Sequence, residues 1–178
     1  MAIYWLPIGL PVMIFDNRVR LELTHEKQTR VIDQREVRIL SADRLVVYFK
    51  LSVLPAWHHG IIDTGAALTV FPEYVWRPLE STIEWIVAPE GRKLPEWLCS
   101  VSGLSGGRFS CRVGVIEVTF FDSAMRILRP RRIVVKCAED AGVIRVPLIG
   151  LGGSVLEGTR LTVEYSVAEA WLQEVDDV

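Results

Sequence analysis

The chain has 178 residues, a formal net charge of −2 and a sequence pI near 5.9, which leaves no electrostatic footprint for nucleic acid. Hydrophobic residues make up 50% and charged residues 24%, the composition of an ordered globular protein and not a disordered one. The length suits one domain with a sizeable core, or a domain with an extension.

Residues 1–15 are apolar but lack a basic start, contain Pro7 and Pro11, and reach Asp16 too early to span a bilayer. They are expected to form a strand or packing arm, so no membrane partner is called for. Residues 19–23 alternate apolar and polar, and residues 31–39 do so more loosely. Residues 44–54 predict a long apolar strand, 56–60 a turn, and 60–63 a short buried strand. Residues 72–79 predict one short helix, with Pro72 suited to its first turn and Pro78 to its end. Residues 80–98 read as irregular and hold Trp85 and Trp97.

A Gly-rich stretch follows at 101–107, then a strand at 112–121. Arg126, Arg129, Arg131 and Arg132 mark a solvated basic turn before a strand at 132–137. Residues 146–149 predict another buried strand, broken by Gly150, Gly152 and Gly153. Ser154 is placed to cap a short helix through Glu157, which Gly158 ends. Residues 161–165 predict a strand and 167–175 a terminal helix, closed by a solvated Asp176 and Asp177. Many short strands with turn signals between them indicate a β-barrel or sandwich.

Three cysteines, Cys99, Cys111 and Cys137, give an odd count with no close pair for a metal knuckle. Reduced, partly buried thiols in a cytoplasmic protein are expected, with a Cys99–Cys111 disulfide left open. His58 and His59 are adjacent, so on a strand they face opposite ways, and no third ligand is evident. They are read as surface turn residues; no metal and no cofactor is expected. Most of the six Trp residues are expected in core or interface packing.

Residues 61–72 carry the chemistry. The apolar Ile61-Ile62 delivers Asp63, then Thr64-Gly65-Ala66-Ala67, then a second apolar run to Phe71. A carboxylate at the end of a buried strand is rarely placed there without a partner or a task. Gly65 directly after it permits a close backbone approach that other residues resist.

This stretch resembles the active-site loop of retropepsin-like aspartic proteases, the family of the retroviral proteases, which carry one Asp-Thr-Gly-Ala loop per chain. Two further segments match in family order. Val101-Ser102-Gly103-Leu104-Ser105-Gly106-Gly107-Arg108-Phe109 fits the mobile hairpin, or flap, that closes over the peptide. Val146-Pro147-Leu148-Ile149-Gly150, a short helix and residues 158–163 look like the family's apolar-apolar-Gly segment and C-terminal strand. The resemblance covers residues 44–165. It implies a mainly β, retropepsin-like closed barrel with one lobe per chain. Residues 1–43 would be an N-terminal β extension packed on that core, and residues 166–178 a helical tail.

The resemblance implies an aspartic endopeptidase. Its catalytic residues would be Asp63, Thr64 and Gly65; Ala66, Ala67, Gly103, Leu104, Ser105, Gly106 and Gly107 would bind substrate. The chemistry needs two facing carboxyl groups, and this chain has one such loop. The second Asp63 would come from a second copy, so the expected partners are the chain itself, as a homodimer, and a polypeptide substrate. The chain departs from the family twice. Ala67 stands where an acidic residue is frequent, and Leu151 stands where Arg is frequent. Those departures favour a rival reading, a non-catalytic dimerisation or peptide-binding module on the same fold. The intact Asp63-Thr64-Gly65-Ala66 favours the enzyme.

Overall fold

The computed structural model describes residues 13–32, 35–52, 56–102, 108–139, 144–164 and 166–175. Its strands are β1 (Ile14–Phe15), β2 (Arg18–Ile32), β3 (Arg35–Leu51), β4 (Trp57–Asp63), β5 (Thr69–Phe71), β6 (Glu84–Trp85) and β7 (Ser100–Ser102). They continue with β8 (Arg108–Phe121), β9 (Arg126–Ile127), β10 (Arg131–Ala138), β11 (Leu148–Gly150), β12 (Thr159–Glu164) and β13 (Glu169–Glu174). One short helix, α1 (Glu73–Trp76), runs into a 3-10 turn, Arg77–Leu79. The expected mainly β architecture is therefore observed, as one large mixed sheet. Among the described residues no helix is long and apolar enough to cross a membrane.

Six strands hydrogen-bond in a ring, β3-β4-β11-β5-β10-β8, which the pairing of Tyr48 with Phe121 closes back onto β3. In β10 burial alternates, with Ile133, Val135 and Cys137 buried and Val134 and Lys136 less so. In β8 the buried parity shifts at Gly114, from Cys111 and Val113 to Ile116, Val118 and Phe120, while Arg108, Ser110 and Glu117 are exposed. Inside, Phe49 stacks on Phe71 with ring centroids 5.3 Å apart, and Trp76 donates its indole N–H to Ala138 O at 2.8 Å. From β3 the sheet continues outward through β2 and β13 to β12.

Several sequence expectations are corrected. Residues 167–175 are not a helix: β13 is a strand, antiparallel to both β12 and β2. Its Ala170 and Leu172 are buried while Glu169, Trp171 and Gln173 are less so, a period of two that outweighs the local helix formers. Residues 154–157 form turns, with Ser154 at φ 73°, so Ser154 caps no helix. Residues 31–39 are not one strand but the end of β2 and the start of β3, paired from Ile32 and Arg35 onward. The turn expected at 56–60 is the first half of β4, and Gly150 ends β11 instead of breaking it.

The basic cluster is solvated only in part: the side chains of Arg129 and Arg132 are 82% and 62% exposed, those of Arg126 and Arg131 25% and 14%. Arg126 pairs with Asp122, Arg129 and Arg131 with Glu174, and Arg132 with Glu84. The three thiols are free; burial pushes the thiol of Cys111 up to about 11 and that of Cys137 to about 12, so both stay protonated. Core packing holds for Trp76, which is buried, but Trp57 and Trp97 are 49% and 64% exposed.

His58 and His59 lie on β4, not in a turn. The His58 ring stacks on Phe49 at 5.4 Å, and its Nε2 is buried with no hydrogen-bond partner among the described residues. Burial, then the neighbouring His59, lowers its pKa. Above the ordinary histidine range both folded and unfolded chains are neutral, and the contribution to stability is complete. As pH falls through that range, the unfolded chain takes up a proton that the folded chain resists. Stability is then lost until the pH passes the lower folded value. We expect the urea midpoint of the wild type to fall between about pH 7 and pH 5, and His58→Phe to flatten that slope. An unchanged slope in the variant would assign the loss to other groups.

Candidate active-site loop

β4 ends on Asp63 because the chain turns sharply at Thr64 and Gly65. Ile62 and Gly60 are buried behind it, Asp63 is half-buried, and Thr64, Gly65 and Ala67 are exposed. The Gly65 N–H donates to Asp63 Oδ1 at 2.9 Å, and the Ala66 N–H donates to Asp63 O at 3.2 Å. The first bond fixes the rotation of the carboxyl group, and the second closes the turn that presents it. This is a local side-chain to backbone bond of the kind Asp forms readily in turns.

β11 supports the loop from below. It runs parallel to β4, with Gly150 opposite Asp63, and meets β5 at Leu148 and Val70. The loop therefore bridges the two strands that flank β11. The Leu151 N–H donates to Ala66 O at 3.3 Å. Contact is so close that a side chain would collide. A Cβ on Gly150 would lie 2.5 Å from Leu68 O and 2.8 Å from Ala66 O, and one on Gly152 would overlap Ala67 O. Glycine is required at both positions by the approach of the backbone itself. Residues 150–152 are distant from the loop in sequence, and the structure brings them onto it.

The second predicted segment is an antiparallel hairpin in its arms. β7 pairs with β8 in the register Ser100–Ser110, Val101–Phe109 and Ser102–Arg108. Gly103, Leu104, Ser105, Gly106 and Gly107 lie outside the described residues. The base of the hairpin is held by a residue that sequence reasoning missed. Lys136 on β10 donates from Nζ to Trp97 O at 2.5 Å and to Ser100 O at 2.8 Å. Glu96 and Arg108 add an exposed ion pair across the arms. Nothing local marks Lys136: its partners are backbone carbonyls, which leave no sequence pattern.

A second concavity, of about 330 Å³, is lined by Arg129, Arg131, Arg132, Ser154, Glu157 and Glu174. None of the predicted site residues lines it. Its guanidinium groups are already engaged: Arg131 donates to Val155 O, to Glu157 O and to Glu174. Shape alone thus points away from the Asp63 loop, whose outer residues Thr64, Gly65 and Ala67 are exposed.

No family model matches the chain, and no curated protein matches it. Among solved structures, it is similar to a retropepsin-like aspartic protease from Rickettsia conorii, with a TM-score of 0.43 and 9% sequence identity, over 86% of this chain and 93% of that one.

Proposed function

We propose that the chain is an aspartic endopeptidase that works as a homodimer, with Asp63 from each copy at the two-fold axis. The observation that carries this reading is the Asp63-Thr64-Gly65-Ala66 turn. It ends a buried strand, its carboxyl group is oriented by the Gly65 N–H, and its outer residues are exposed. The six-strand ring is then the closed barrel of the family, and the β7–β8 hairpin its flap.

Two facing carboxyl groups share one proton, because like charges at contact distance cannot both be ionised. The ionised Asp63 takes a proton from a water as that water attacks the peptide carbonyl carbon. The protonated Asp63 of the other copy gives its proton to the carbonyl oxygen. As the tetrahedral intermediate collapses and the C–N bond breaks, the Asp63 that took the water's proton passes it to the leaving amine, and the other Asp63 recovers a proton from a hydroxyl of the intermediate. Gly65 keeps backbone close to the pair, and Thr64 braces one loop against the other. A peptide enters when the hairpins open and is held when they close, so residues 103–107 set access.

Because the site is assembled from two chains, activity should depend on concentration. Specific activity on a peptide substrate is expected to fall on dilution, with its midpoint at the dimer dissociation constant measured by sedimentation. Constant specific activity in a range where the protein is monomeric would remove the shared site.

A further inference from the structure

The root of the β7–β8 hairpin carries two thiols that the Asp63 chemistry does not use. The register that opposes Val101 to Phe109 and Ser100 to Ser110 carries back one step to Cys99 and Cys111. The Cys111 N–H donates to Cys99 O at 2.9 Å, as in a hydrogen-bonded antiparallel pair. The Cys99 N–H instead turns back to Pro95 O and Glu96 O, which is why β7 begins only at Ser100. Opposed Cα atoms in such a pair lie about 5.5 Å apart, inside the disulfide range. The Cys111 thiol also reaches Leu98 O at 3.5 Å, so its sulfur lies over the peptide group that leads into Cys99.

The two side chains share a face. Val101, two residues along from Cys99, packs on the same apolar cluster as Ala138, which opposes Cys111 across β10. Cys137 is no rival partner. It opposes Arg112, one step along from Cys111, and so points to the other face, where it is buried in the main core.

Both thiols are free. We propose that Cys99 and Cys111 are a reversible thiol–disulfide pair that clamps the root of the hairpin, oxidised by a small disulfide such as glutathione disulfide. Cys99 is half-buried and Cys111 is 5% exposed, so Cys99 is the point of entry. Burial also holds the Cys111 thiol protonated, which leaves Cys99 as the first nucleophile. The Cys99 thiolate attacks one sulfur of glutathione disulfide; the S–S bond breaks and a glutathione thiolate leaves. Cys111 then gives its proton to solvent and attacks the Cys99 sulfur of the mixed disulfide, releasing the second glutathione thiolate. Two protein thiols are oxidised, and one glutathione disulfide is reduced to two thiols. The new bond lies where Lys136 already grips Trp97 O and Ser100 O, so the arms can no longer fray from the root.

The proposal concerns the hairpin alone and stands whether or not the chain cleaves peptides. Its test equilibrates the full chain in glutathione buffers of graded oxidising power, then quenches, unfolds, alkylates and weighs it. The wild type should lose two of its three thiols together, and its peptide map should join Cys99 to Cys111. Cys137→Ser should form the same bond. Cys99→Ala should keep both remaining thiols, and Cys111→Ala should stop at a glutathione adduct on Cys99. Amide exchange in β7 and in residues 108–111 of the wild type should slow about tenfold or more on oxidation and recover with dithiothreitol. The same amides in Cys99→Ala, whose altered side chain is only half-buried, should not respond. A wild type that stops at the Cys99 adduct overturns the proposal. So does a bond that includes Cys137, or a Cys99–Cys111 bond that leaves hairpin exchange unchanged.

Discussion

Asp63→Asn should eliminate peptide cleavage, by roughly three orders of magnitude or more, while the protein stays folded and dimeric. The size of the effect follows from the role. An amide can neither accept the proton of the attacking water nor pass one to the carbonyl oxygen, and general acid and base steps of this kind contribute factors of about 10² to 10⁴ each. The fold should be indifferent, because the amide oxygen can still accept from the Gly65 N–H, as Asp63 Oδ1 does at 2.9 Å. The half-buried position tolerates a neutral group of the same shape. Mixing variant with wild type should depress activity further than dilution does, since a mixed dimer holds one carboxyl group. Cleavage near the wild-type rate would place catalysis elsewhere. A wild type that dimerises and binds peptides without cleaving them would establish the binding-module reading.

Asp122→Ala should cost about 3–5 kcal/mol of stability. Asp122 is 1% exposed, and both of its carboxylate oxygens are occupied. Oδ1 accepts from the N–H groups of Ala124 and Arg126 at 2.9 and 3.0 Å. Oδ2 accepts from the Arg20 N–H at 3.1 Å and from Arg126 Nε at 2.7 Å. Truncation strands a partly buried guanidinium and several backbone donors at once. It also releases the turn to β9, where Met125 is held at φ 61°, from β2. Asp122→Asn, which keeps one acceptor, should cost less. Arg132→Ala, which removes an exposed pair with Glu84, should change stability by no more than about 0.5 kcal/mol. Urea unfolding measures all three, and a loss below about 1 kcal/mol for Asp122→Ala would show that the turn does not depend on this carboxylate.

Asp122 also marks the boundary of what the sequence discloses. The Asp63 turn could be read because its chemistry is contiguous: strand, acid, glycine and second strand lie within a dozen residues. The strand β10 could be read because burial on one face imposes a period of two. Lys136 could not, because its partners are backbone carbonyls with no identity of their own; for Asp122 the partners at 124 and 126 are local, but the bond from the Arg20 N–H on β2 left no sequence pattern. The terminal strand β13 was hidden by Ala, Glu and Leu, which favour helix locally; its neighbours β2 and β12, not its own residues, decide its state. The reading of Trp57, His58 and His59 as a turn failed similarly, since two polar rings mask the pairing of β4 with β3.

The parallel pairing of Ile61 with Leu148 and of Asp63 with Gly150 has a consequence for biosynthesis. A nascent chain emerging amino end first exposes the Asp63 turn long before β11 exists to hold it. Contacts so distant along the chain form late, since the loop between them must close first. The turn, closed by its own local bonds, is thus backed by β11 only after residues 148–152 have been translated and folded back. Fragments that stop short of Gly150 carry the motif without the strand that supports it.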